Sequence, residues 1–120
     1  MVGNFWNNIH LYCGKHGDDH SIELIPHESP TGRDIFYSCP KYYPENREEG
    51  ETACGNRLSM LDYENMVKKL SDMVSDAEMN GQTLNLGGLT FKNRSGVIFK
   101  VLKDDHGRLD ILVDNKRSIG

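Results

Sequence analysis

The chain is 120 residues long, 37% apolar, and carries a net charge of −4, which suits one domain burying about two thirds of its unfolded surface around a modest core. No stretch is apolar enough to span a bilayer, and the first twelve residues, MVGNFWNNIHLY, lack the basic start and apolar run of a secretory leader. The cysteine count is three, and an odd number without a leader points to a reducing, cytoplasmic setting.

Taken in chain order, Asn8–Cys13 alternates Ile9 and Leu11 with His10 and Tyr12 and predicts a strand that delivers Cys13 into a turn, Gly14-Lys15-His16-Gly17. Ser21–Ile25 predicts a return strand ended by Pro26. Asp34–Ser38 predicts a third, delivering Cys39 and stopped by Pro40. Residues 41–53, KYYPENREEGETA, show no periodicity and contain Pro44 and Gly50, so an exposed loop is expected. Ser59 with Asp62 matches a broad capping box, and Tyr63, Met66, Val67, Leu70, Met73, Val74 and Ala77 recur at helical spacing until Gly81. Three short apolar runs follow, Thr83–Leu86, Leu89–Lys92 and a hairpin of Val97–Lys103 with Leu109–Val113 closed by the turn Asp104-Asp105-His106-Gly107.

The fold class expected is α+β: a zinc-bound β unit over residues 8–58, one amphipathic helix over 59–81, and an antiparallel sheet over 82–120, all in one domain.

Cys13 and His16 form a C-x-x-H pair, and Cys39 and Cys54 complete a set of three sulfurs and one nitrogen suited to tetrahedral zinc. Bonds from one metal to Cys39 and Cys54 would also close the long loop between them. Three unrelated buried thiols, or a Cys39–Cys54 disulfide with Cys13 left over, are the alternatives. His20 or His27 could replace His16 or Cys54 as ligand, while Asp18, Asp19 and His20 together read as a turn. Four protein ligands leave no position for water, so this metal would support the fold and do no chemistry.

A knuckle, a hairpin and a last ligand just before a helix resemble the zinc-ribbon and treble-clef groups of small metal-binding domains. The resemblance rests on Cys13, His16, Cys39 and Cys54 and covers about residues 8–80. Tyr42 and Arg57 stand where those groups place second members of ligand pairs. The short acidic chain with its CPKYYP stretch also resembles small accessory proteins carried by bacterial mobile elements.

Catalytic signatures are missing from the sequence. His27-Glu28 are adjacent where a zinc deaminase needs H-x-E with P-C-x-x-C, and neither H-E-x-x-H nor G-x-x-x-x-G-K occurs. No enzymatic activity is expected.

Charge is uneven: residues 1–60 carry five basic and nine acidic side chains, residues 61–81 two and five, and residues 82–120 seven and four. Lys92, Arg94, Lys100, Lys103, Arg108, Lys116 and Arg117, with Phe91 and Phe99 among them, make a candidate nucleic-acid surface. Tyr42 and Tyr43, beside acidic Glu45, Glu48, Glu49 and Glu51, make a candidate protein-binding loop. The expected function is a non-catalytic zinc module with a regulatory or accessory role in a nucleic-acid system, or alternatively an adaptor or inhibitor of a nucleic-acid enzyme that uses its acidic half.

Overall fold

The computed structural model describes residues 8–16, 22–28, 35–82, 84–105 and 108–116. The protein is α+β, with seven strands among the described residues, β1 (Ile9–Cys13), β2 (Ile25–Glu28), β3 (Ile35–Ser38), β4 (Arg57–Ser59), β5 (Thr90–Lys92), β6 (Val97–Asp105) and β7 (Arg108–Asn115), and one helix, α1 (Met60–Met79).

The strands form two sheets, one ordered β2-β3-β4 and the other β1-β7-β6-β5. β1 leaves the N-terminal unit and lies parallel to β7, with Ile9 opposite Leu109 and Cys13 opposite Val113. This parallel pair makes β7 an inner strand. Leu109, Ile111 and Val113 are fully buried on one face, and Asp110 and Leu112 are covered on the other.

Residues 22–24 do return against β1: Cys13 donates to the Ile22 carbonyl and Leu24 to that of Leu11, both at 2.8 Å. Pro26 does not end the run, because it sits within β2 opposite Tyr37. β2 is the edge of its sheet, where a missing N–H leaves no ladder bond unmade. β6 and β7 also run further than expected. Asp105 pairs with Arg108, so the connection shrinks from four residues to two, and the ladder slips between Val101 and Lys103. His106 and Gly107 themselves lie outside the described residues, as does Thr83, and Leu84–Leu86 form no strand.

The helix follows its sequence signals closely. Ser59 caps it by accepting from the Asp62 amide at 3.1 Å, and Gly81 beyond its end adopts φ +67°, a conformation that favours glycine. Met66 and Leu70 are buried in one core cluster with Leu58, Leu86, Phe99 and Ile111, while Tyr63, Val67 and Val74 pack at its border. The polar cap region is held from the other side, where Asn93 and Ser95 donate to the Asp62 carboxylate.

Candidate metal centre

Three separate segments bring the four candidate donors together. β1 ends on Cys13, and a single 3-10 turn over Gly14–His16 swings His16 back toward it. The turn lies hard against β7. A Cβ on Gly14 would stand 3.0 Å from the Val113 carbonyl oxygen and 3.2 Å from the Asp114 Cβ, so only glycine fits without displacing the strand. Lys15 then pairs with Asp114 at 3.1 Å and fastens the turn to β7.

Cys39 follows β3, and Pro40 opens a 3-10 turn whose Tyr42 amide bonds back to the Cys39 carbonyl at 3.0 Å. Cys54 returns the loop by donating its amide to the Lys41 carbonyl at 3.3 Å. The long irregular segment between them is thereby closed at its ends.

The donor atoms of Cys13, His16, Cys39 and Cys54 all lie within 4.8 Å of one another. Cys13 Sγ is 3.8 Å from Cys54 Sγ, and His16 Nε2 is 3.3 Å from Cys39 Sγ. Zinc bond lengths in a regular tetrahedron require about 3.8 Å between sulfurs and about 3.6 Å between sulfur and nitrogen, close to these two separations. The sulfurs are far beyond the roughly 2.05 Å of a disulfide, and all three cysteines are free and buried. That removes the Cys39–Cys54 disulfide and leaves the thiols gathered at one point. His16 is the exposed member of the cluster, at the edge of a crevice with Glu51 and Thr52.

The thiols are electrostatically unequal. A hydrogen bond from Cys39 pulls the Cys13 thiol down to about 5, against the opposing effect of burial and with help from the Asn56 amide. The same bond, together with burial, pushes Cys39 up, and burial pushes Cys54 up. Opposite shifts of neighbouring thiols favour sharing of negative charge within the cluster, and a cation bound there would favour ionisation of all three.

Sequence reasoning passed over Asn56, which is fully buried beside the cluster. Its amide nitrogen donates to Cys13 Sγ at 3.0 Å and to the Val113 carbonyl at 2.8 Å. Its only sequence signal is a polar residue two places after a ligand. His27 is not among the gathered donors. Its ring lies against Tyr43 and Phe36, with the Tyr43 hydroxyl 3.5 Å from Nδ1. His20, Asp18 and Asp19 lie outside the described residues.

The candidate partner-binding residues are dispersed. Arg108 donates to Asp110 and to the Tyr12 hydroxyl, both at 2.8 Å, and Lys116 pairs with Asp114 at 2.6 Å. Lys100 and Lys103 lie on β6, opposite Leu112 and Asp110 of β7. Arg94 is set apart from these, in the turn between β5 and β6, where it borders a cleft with Lys69, Phe91 and Lys92. Arg117 lies outside the described residues. On the other sheet, the Arg57 guanidinium stacks on the rings of Phe36 and Tyr42, and Tyr42 packs on Tyr43 while staying 42% exposed.

No family model, curated protein or solved structure matches this chain. The gathered side chains are positioned to hold a metal ion, an arrangement compatible with a small metal-binding domain. Among the described residues, no helix is long and apolar enough to cross a membrane.

Proposed function

We propose that the protein is a non-catalytic binding module whose fold is clamped by one structural zinc ion, held by Cys13, His16, Cys39 and Cys54. The observation that carries this reading is the convergence of these four donors, from separate segments, to within 4.8 Å of one another. Three thiolates and an imidazole are a soft donor set that favours zinc over magnesium or calcium. Four protein ligands complete its coordination, so the ion would contribute stability and leave no position for an activated water. Zinc titration followed by thermal unfolding tests this. One equivalent should bind and raise the midpoint strongly, since a structural zinc is worth on the order of 10 kcal/mol.

For the role of the module, the accessory or regulatory reading in a nucleic-acid system rests on the cleft between α1 and the β5–β6 turn. Lys69, Lys92 and Arg94 line it with Phe91 and Asp62, and the Lys69 ammonium lies 5.1 Å from the Phe91 ring centre. Binding to labelled single-stranded and duplex nucleic acid should appear at low salt and weaken steeply as salt rises, and Arg94→Ala should flatten that slope by about one unit. The adaptor reading has its own observation. Tyr42 is 42% exposed and lies beneath the Arg57 guanidinium, which also covers Phe36, and aromatic and arginine anchors dominate protein interfaces. Absence of nucleic-acid binding at low salt, with partner capture lost in Tyr42→Ala, would select it.

A further inference from the structure

We infer that Asn56 is a positioning residue of the metal centre, holding the Cys13 sulfur by an N–H···S hydrogen bond and tying that ligand to β7. This rests on the metal-binding reading above.

The amide of Asn56 is fully used. One Nδ2 hydrogen goes to Cys13 Sγ and the other to the Val113 carbonyl, while Oδ1 accepts from the Asn115 amide at 3.0 Å. These partners fix which way the amide points. Rotated by half a turn, it would set Oδ1 against the Val113 carbonyl oxygen and Nδ2 against the Asn115 N–H, two repulsive contacts in a site where Asn56 is 0% exposed. A donor is therefore aimed at the sulfur by contacts that do not involve the sulfur. The main chain of Asn56 adds to this, since its carbonyl accepts from the Cys39 amide at 3.0 Å. One residue thus touches two ligand-bearing residues and follows a third, Cys54, by two places.

Such a donor has two consequences for a metal-bound thiolate. It withdraws charge from the sulfur, making it less nucleophilic while it stays ionised, and it fixes the direction of the sulfur lone pairs toward the ion. Because the same amide also bonds to β7, it links the ligand cluster to the junction of the two sheets, where Asn115 also donates its side chain to the Arg57 carbonyl.

A purely structural bridge to β7 would need none of the contact to sulfur, so the test reads the sulfur. The protein is labelled with nitrogen-15, loaded with cadmium-113 in place of zinc, and examined for scalar coupling between the metal and the Asn56 side-chain amide proton. Coupling is expected, transmitted through the N–H···S bond. In parallel, Asn56→Asp keeps the oxygen that accepts from Asn115 but removes both donors, and should lower zinc affinity by about 10-fold to 100-fold. Asn115→Ala, which leaves the bond to sulfur in place, should bind zinc as the wild type does. A wild-type cadmium protein with cysteine-bound metal but no coupling to Asn56 overturns the inference, as does Asn56→Asp with unchanged zinc affinity. If that variant does not fold, the wild-type coupling alone decides. Wild-type protein that binds neither zinc nor cadmium would instead refute the metal reading itself.

Discussion

Leu70→Ala tests whether the helix stripe is core or a docking surface. Leu70 is 0% exposed and shares its cluster with Met66, Leu86 and Phe99, contributed by the helix, a loop and β6. The substitution removes three buried carbons, worth about 2.4 kcal/mol at ~0.8 kcal/mol each. Neighbours anchored in three different elements cannot all close on the gap, so a void of roughly 60–80 Å³ should add about 1.5–2 kcal/mol. The expected loss is about 4 kcal/mol, read by urea or thermal unfolding of the metal-loaded protein as a midpoint drop of roughly 15 °C. Leu61, on the same helix but 67% exposed, is the control, and Leu61→Ala should stay within about 0.5 kcal/mol. A Leu70→Ala loss below about 1 kcal/mol would refute the packing, and with it the assignment of the stripe to the core.

Cys39→Ser should abolish stoichiometric zinc binding and turn the sharp thermal transition of the loaded protein into that of the metal-free one, checked by calorimetry with and without a chelator. Zinc affinity should rise with pH through the neutral range, because the Cys39 and Cys54 thiols, raised by hydrogen bonding and burial, must lose protons to bind; competition titrations between about pH 6 and 8 would reveal a flat profile if the thiols were not ligands. Burial opposes ionisation of Asp114, but Lys116 and Lys15 outweigh it and hold its carboxyl below the ordinary value. A lowered carboxyl contributes stability above its unfolded pKa and loses it as pH falls through the folded one. The midpoint gap between wild type and Asp114→Asn should therefore be widest near pH 7 and close below about pH 4, whereas a gap independent of pH would contradict the ion pairs.

The helix, and the Cys13–His16 half of the gathered cluster, were legible because each rests on local rules. Ser59 and Gly81 bracket a 3.6-residue stripe, and soft donors at Cys13 and His16 announce a knuckle whatever surrounds them. The pairing of β1 with β7 was not legible, since residues 9–13 and 109–113 have no local signal that joins them and the alternation of β1 suits either sheet. Pro26 misled because its penalty depends on whether a strand is an edge, which only the assembled sheet decides. The hairpin ran longer than its turn residues suggested because Asp104 and Asp105 extend the ladder before the chain reverses. Asn56 was hidden for a related reason: its partners Cys13, Val113 and Asn115 lie 43 to 59 residues away, and a single buried amide leaves no pattern. The basic residues of the last third looked like one surface in sequence, yet Arg108 and Lys116 are paired with neighbouring aspartates, while Arg94 sits elsewhere.

The central claim is that four side chains hold one metal ion and that the fold depends on it. Native mass spectrometry of protein purified without chelator, combined with thiol alkylation before and after metal removal, addresses both halves together. The account predicts a single species carrying one zinc, with Cys13, Cys39 and Cys54 protected until the metal is stripped and all three reactive afterwards. A folded, metal-free monomer whose three thiols react at once would contradict it.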